Sequence, residues 1–208
     1  MHRLFGGFRL GAVLALGLLA SCASVPPAAP DVDPATLNAA WALRQQQLGS
    51  VQGFQLNGRV AVKGGGLSGA LRWQQEGAHF SLRIAGPFGA GALSMEGTAE
   101  QVAIKGKDID LVTTEPQLVL AQRTGWRLPL DSLRWWVLGL PDPRSEADVV
   151  LDAEGRALQI QQAGWTLRYS DYRSDSTPAL PGRIEAVQPT ATGEWMATVV
   201  LDAITLTP

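Results

Sequence analysis

The chain has 208 residues, with 17 basic and 19 acidic side chains, two histidines and a single cysteine. That length suits one domain with a sizeable core. The mildly acidic balance without a basic cluster excludes a nucleic-acid footprint, and one cysteine excludes both an intramolecular disulfide and a cysteine-rich metal site.

The first segment is a leader. Arg3 and Arg9 precede an apolar run from Leu10 to Ala20, and the small residue Ser21 follows. The run is short for a bilayer span, so residues 1–21 read as a secretory signal peptide. Its removal leaves about 187 residues, with 15 basic against 19 acidic. Leu19-Ala20-Ser21-Cys22 is similar to a bacterial lipobox, and the one cysteine of the chain stands where lipid would be attached. That likeness implies lipidation at Cys22. Residue 23 is Ala rather than the Asp that bacterial sorting uses for inner-membrane retention, which implies an anchor in the outer membrane with the domain facing the periplasm. Several acyl chains, at about 0.8 kcal/mol per buried methylene, make such an anchor stable. Residues 22–34 contain four prolines and few large apolar groups, so they read as a tether with a reach of roughly 35 Å.

The folded part is expected to run from 35 to 208. Asp33-Pro34 supplies a cap and a first-turn proline, and Leu37, Ala40, Trp41 and Leu48 recur at helical spacing, predicting a helix near 34–48. The period then changes to two. Val60 and Val62 alternate with polar or small neighbours, as do Leu67, Gly69, Leu71 and Trp73, and then Phe80, Leu82 and Ile84. Further strands are expected near 90–96, 98–106, 108–113, 146–152, 156–163, 165–172, 182–188 and 195–206. Glycines at 64–66, 77, 97, 155 and 193 mark the turns. Eleven strands in a meander would curl into an open half-barrel. Two short helices interrupt it. One is capped by Thr114 and stops at Gly125, and one follows Pro129 and ends by Gly139 and Pro141. With the first helix, about three helices would cover the concave face of a mainly β fold and enclose an apolar cavity.

Six strings along the chain carry a resemblance: GRVAV at 58–62, SGALRWQQ at 68–75, FSLRIAGPFGAG at 80–91, GWRLPLDSLRWWVLGLPDP at 125–143, LDAEGRALQIQQAGW at 151–165 and YSDYRS at 169–174. Together they resemble the LolB family of outer-membrane lipoprotein receptors, and the block from Gly125 to Pro143 is the most specific. The resemblance implies a half-barrel of eleven strands closed by three helices. It implies a monomer that takes lipidated cargo proteins from a periplasmic LolA-like carrier and inserts them into the inner leaflet of the outer membrane. No cofactor, metal or catalytic residue is implied. Motifs of phosphate binding (GxxxxGK[ST]) and zinc hydrolysis (HExxH) are absent from the sequence.

The inward rows Val60, Val62, Leu71, Trp73, Phe80, Leu82, Ile84, Ile104, Leu158, Ile160, Trp165 and Leu167, with Trp126 and Trp136, are candidates to line an acyl-chain cavity. Any one of them serves a solid core equally well. The case for a cavity is collective, because a curved sheet of eleven strands has more concave apolar area than three short helices fill. Arg59, Lys63, Arg72 and Arg83 share an outward row and suit either an acidic face of the carrier or plain solvation. The loop Gly86–Gly91 presents one large aromatic framed by Gly and Pro. The resemblance implies that Pro87, Phe88 and Gly89 form a membrane-delivery loop, where relatives often carry Leu in place of Phe88. Two rival readings stay open: a module carrying another lipid, and an enzyme using His79.

Overall fold

The computed structural model describes residues 32–208 apart from 64–66, 125–127 and 191–192. The leader, Cys22, most of the tether, the glycine run at 64–66 and Trp126 therefore lie outside the described residues.

The first helix, α1, spans Pro34–Gly49, with the Asp33 carboxylate accepting from the Thr36 amide at 3.3 Å and from its hydroxyl at 3.1 Å. Its inner stripe is Leu37, Trp41, Arg44 and Leu48, an i, i+4, i+7 pattern that includes one charge. Arg44 is buried. Its guanidinium donates to the Leu138 carbonyl at 3.4 Å and stacks on the Tyr172 ring at 5.3 Å, while Arg156 covers that ring at 4.8 Å. Burial lowers the pKa of Arg44. Gly155 turns with φ +73° directly beneath α1, where a Cβ would come within 2.7 Å of the Ala40 Cβ.

Eleven antiparallel strands follow: β1 Gly53–Lys63, β2 Ser68–Glu76, β3 His79–Ala85, β4 Leu93–Gly97, β5 Val102–Gly106 and β6 Ile109–Thr113. After two helices, α2 Pro116–Thr124 and α3 Leu130–Trp136, come β7 Ala147–Leu151, β8 Ala157–Gln162, β9 Trp165–Ser170, β10 Arg183–Thr190 and β11 Gly193–Thr207. Their spatial order is β6-β5-β4-β3-β2-β1-β11-β10-β9-β8-β7. This differs from a simple meander. The chain forms two meanders, and its first and last strands zip together in the middle over the longest pairing of the sheet. The edges are therefore β6 and β7, and the sheet stays open. Because α2 and α3 lie between those edge strands in the chain, the segment holding them has to travel from one edge to the other. That connection lays α3 across the concave side.

Alternation governs each strand, but two bulges reset it. Opposite Asn57 and Gly58, β11 skips a residue: Asn57 faces Ala203 and Gly58 faces Leu201. Ala197, Val199 and Leu201 thus point inward on one side of the bulge and Ile204 and Leu206 on the other. The extra residue, Asp202, turns out and pairs with Arg59 at 2.7 Å. A second bulge sets Val150 opposite Gln159 but Leu151 opposite Ala157. Near the start of α2, the Thr113 hydroxyl, one residue before the expected Thr114, accepts from the Glu115 amide at 2.9 Å.

Candidate functional site

The concave face carries one continuous apolar core that reaches from Ile104 in β5 to Ile160 in β8. Within it lies a pocket of about 140 Å³ whose lining is wholly apolar. Val60, Val62, Leu71, Trp73, Leu82 and Ile84 supply one wall; Trp165, Leu167, Ile184, Trp195 and Val199 supply the other; Leu128, Leu133, Trp136 and Val137 form the roof. Most of the inward candidates from the sequence meet here. Phe80 is buried and lines a second, adjoining pocket, whereas Ile104 and Ile160 belong to the packed core beyond either pocket. Leu158 departs from the expected row. The β7–β8 bulge turns Ala157 and Ile160 inward, and Leu158 is only half-buried and outside the core.

Aromatic rings shape the walls. Trp165 meets Trp195 edge-on at 5.1 Å and Trp136 at 6.1 Å, and Phe54 meets Trp73 edge-on at 5.0 Å. The roof is short, and polar contacts hold it. The Gln162 side chain, at an inward position of β8, accepts from Trp136 Nε1 at 2.8 Å and from the Asp142 amide at 2.9 Å. It donates to the Asp142 carbonyl at 2.8 Å and the Ser145 carbonyl at 2.9 Å. Asp142 in turn accepts from the Ser132 hydroxyl at 2.8 Å and from Arg144 at 2.7 Å. Burial would raise the Asp142 pKa, but the Arg144 side chain and amide and the Ser132 hydroxyl outweigh it and hold the carboxyl below its ordinary value. Gln162 and Gln75 both stand in register with apolar rows, at two residues from Ile160 and from Trp73. A polar side chain at inward parity was the signal that could have singled them out.

The loop after β3 is closed by its own backbone. Gly86 N–H donates to Ala90 O at 2.9 Å, Gly89 N–H to Gly86 O at 3.0 Å and Ala90 N–H to Pro87 O at 3.1 Å. At its apex Phe88 is fully exposed and left-handed, with φ 56° and ψ 22°. That conformation costs a bulky L-residue roughly 1–2 kcal/mol. The fold thus holds an aromatic ring in water at the expense of its own stability.

On the convex face Arg59, Lys63, Arg72 and Arg83 are all exposed. Arg72 and Arg83 stand directly opposite one another in the β2–β3 pair, whereas Arg59 is neutralised by Asp202. Like charges directly opposite are mildly destabilising. His79 is exposed, with Nε2 at 3.8 Å from Glu96. Among the described residues no group of three His, Cys, Asp or Glu is arranged to hold a metal.

Comparison with known proteins bears on this arrangement. Residues 52–202 match the family model described as outer membrane lipoprotein LolB. The chain belongs to the LolB family. An outer-membrane lipoprotein LolB of Nitrosococcus oceani is 35% identical over 176 residues, covering 83% of this chain and 86% of that one. The LolB of Pseudomonas fluorescens is 34% identical over 174 residues, covering 82% and 84%. Among solved structures, a LolA superfamily protein from Nitrosomonas europaea superposes with a TM-score of 0.52 at 11% identity, covering 83% of this chain and 94% of that one. A DUF1329 family protein from Desulfovibrio piger gives 0.51 at 8% identity. At such identities the likeness extends to the fold alone, so the open sheet of this LolB family member shares its fold with those two structures.

Proposed function

We propose that this chain is an outer-membrane lipoprotein receptor. It takes lipidated proteins from a periplasmic LolA-like carrier, holds their acyl chains against the concave face and releases them into the outer membrane. The observation that carries this reading is the wholly apolar pocket beneath the α3 roof. Acyl chains carry no charge code and are bound by area, at about 25 cal/mol per Å² removed from water. Sites for drug-sized ligands are about 300–1,000 Å³, so a pocket of about 140 Å³ has to widen to take an acyl chain.

Membership of the LolB family supports the outer-membrane destination, and the lipobox-like stretch supports anchoring at Cys22. Phe88 gives a means of touching the bilayer: burying its ring gains on the order of 1.5–3 kcal/mol, enough for contact but too little for retention. Of the four basic residues Arg59, Lys63, Arg72 and Arg83, the last three are the stronger carrier-docking candidates, because they are exposed and in no ion pair among the described residues, whereas Arg59 is held by Asp202.

The test is a two-step transfer. A lipidated protein loaded on the carrier is mixed with this protein and then with liposomes, and cargo is followed by co-purification at each step. Cargo should leave the carrier for this protein without nucleotide and then enter the liposomes. Cargo that stays on the carrier, at any ratio of the two proteins, would sink the reading.

A further inference from the structure

A second pocket, about 270 Å³, adjoins the first. It lies at the end of the sheet away from Phe88, because β3 runs from the Gly77 turn at its start to the Gly86–Gly91 loop at its end. There the β2–β3 turn and the β4–β5 turn meet the first residues of α3, with Ala78, Ala99 and Leu130 among the lining. Phe80 and Met95 make an apolar floor. Trp73, Leu82 and Leu133 line both pockets, so these three side chains are the partition between them.

The rim is polar and balanced, with Arg134 and Arg144 against Asp131 and Glu100. Arg144 is committed to carboxylates, at 2.7 Å from Asp142 and 3.2 Å from Asp131. Arg134 differs. It donates to the carbonyls of Gly77 at 2.9 Å and Val51 at 3.3 Å and lies against the Trp135 ring at 5.0 Å. Among the described residues no carboxylate is within ion-pair distance of it. A guanidinium has five N–H donors, so donors remain beyond those two bonds.

Resting on the acyl-binding reading above, we propose that this pocket is a polar vestibule. It seats the ester and amide carbonyls at the root of a lipidated cysteine against Arg134, while the acyl chains pass Trp73, Leu82 and Leu133 into the apolar pocket. Carbonyls taken out of water need hydrogen-bond donors. A rim whose charges cancel favours such neutral dipoles over an anionic headgroup. Neither pocket alone reaches the usual volume of a ligand site, but the two together do. The arrangement also gives the cargo a direction. Val62 and Ile84 bring the apolar pocket close to the Phe88 end of the sheet, so chain tips point toward the loop and the cargo polypeptide leaves at the Gly77 end.

The experiment uses the whole mature chain carrying Cys22→Ala, with two ligands read by fluorescence: a triacylated cysteinyl peptide and the uncharged, carbonyl-free apolar dye N-phenyl-1-naphthylamine. Arg134→Met removes the donor, and Ala99→Trp fills the vestibule while keeping the Arg134 side chain. Circular dichroism checks that each is folded. Arg134→Met should lose about tenfold or more in lipopeptide affinity, the size of one hydrogen bond to a charged donor, and Ala99→Trp should lose at least as much by excluding the carbonyls, while dye affinity stays within about twofold in both. Unchanged lipopeptide binding in both would overturn the vestibule and leave the acyl pocket standing. A parallel loss of both ligands would also overturn it, because it would mean the substitutions merely disturb the fold. Failure of the parent protein to bind either ligand would instead defeat the acyl-binding reading itself.

Discussion

Phe88 concentrates two costs in one residue, a left-handed backbone and an exposed ring, and neither stabilises the fold. Phe88→Gly should therefore raise stability by about 1 kcal/mol in urea unfolding while slowing delivery to liposomes. Phe88→Glu replaces an apolar contact with a charge that resists desolvation; it should still accept cargo from the carrier but deliver it poorly, and Phe88→Leu should be close to normal. Delivery by the Glu variant at the unaltered rate would remove the loop from the mechanism. Asp142 makes a different prediction at the same scale. Its folded pKa is depressed, so its ionised form stabilises the protein above the unfolded value near 3.8 and that stability is lost as pH falls through the folded pKa. Thermal melts of the unaltered protein should drop below about pH 4, and Asp142→Asn, lower in stability at pH 7, should show a shallower acid limb.

Among the elements, α3 is the one whose attachment decides what the apolar pocket can hold. Its underside is apolar, but the side chain of Gln162 ties Trp136 and the strand of backbone after α3 to β8. Gln162→Leu would strand the Trp136 N–H and both backbone groups of Asp142. The expected loss is about 3 kcal/mol, measured by denaturant unfolding, with faster exchange of the amides in residues 137–142 than in β1 or β11. Equal acceleration everywhere would mean that Gln162 supports the whole fold rather than the roof. The α1 helix is fastened by similar means, through Arg44, Tyr172 and Arg156, so α1 and α3 both owe their seats to buried polar groups as much as to apolar area.

For the molecule as a whole, transfer without an energy source requires only that this site bind acyl chains better than the carrier does, and about 1.4 kcal/mol gives a tenfold bias. Leu71→Asn and Leu82→Asn, both in the pocket wall, should weaken acceptance from the carrier before they unfold the domain. Unchanged acceptance in both would mean that the acyl chains lie elsewhere. Cys22→Ala should abolish lipidation, checked by mass spectrometry, while acceptance persists. The period-two pattern, the Asp33-Pro34 helix start and the framing of Phe88 were legible from the residues alone, since alternation, capping and turn chemistry are local. The inward rows through Val60, Leu71, Trp73, Leu82 and Ile84 followed from them. What local pattern could not decide was which strand lies beside which. Pairing of β1 with β11 depends on chain closure over nearly the whole length of the domain, and that pairing made β6 and β7 the edges and sent α3 across the concave face. The bulge at Asp202 is part of that closure, while the bulge at Leu158 belongs to the β7–β8 hairpin and left no mark in the alternation. The partners of Arg44 and Gln162, Leu138 and Trp136, were beyond local pattern because the sequence separation that joins them carries no periodic signal.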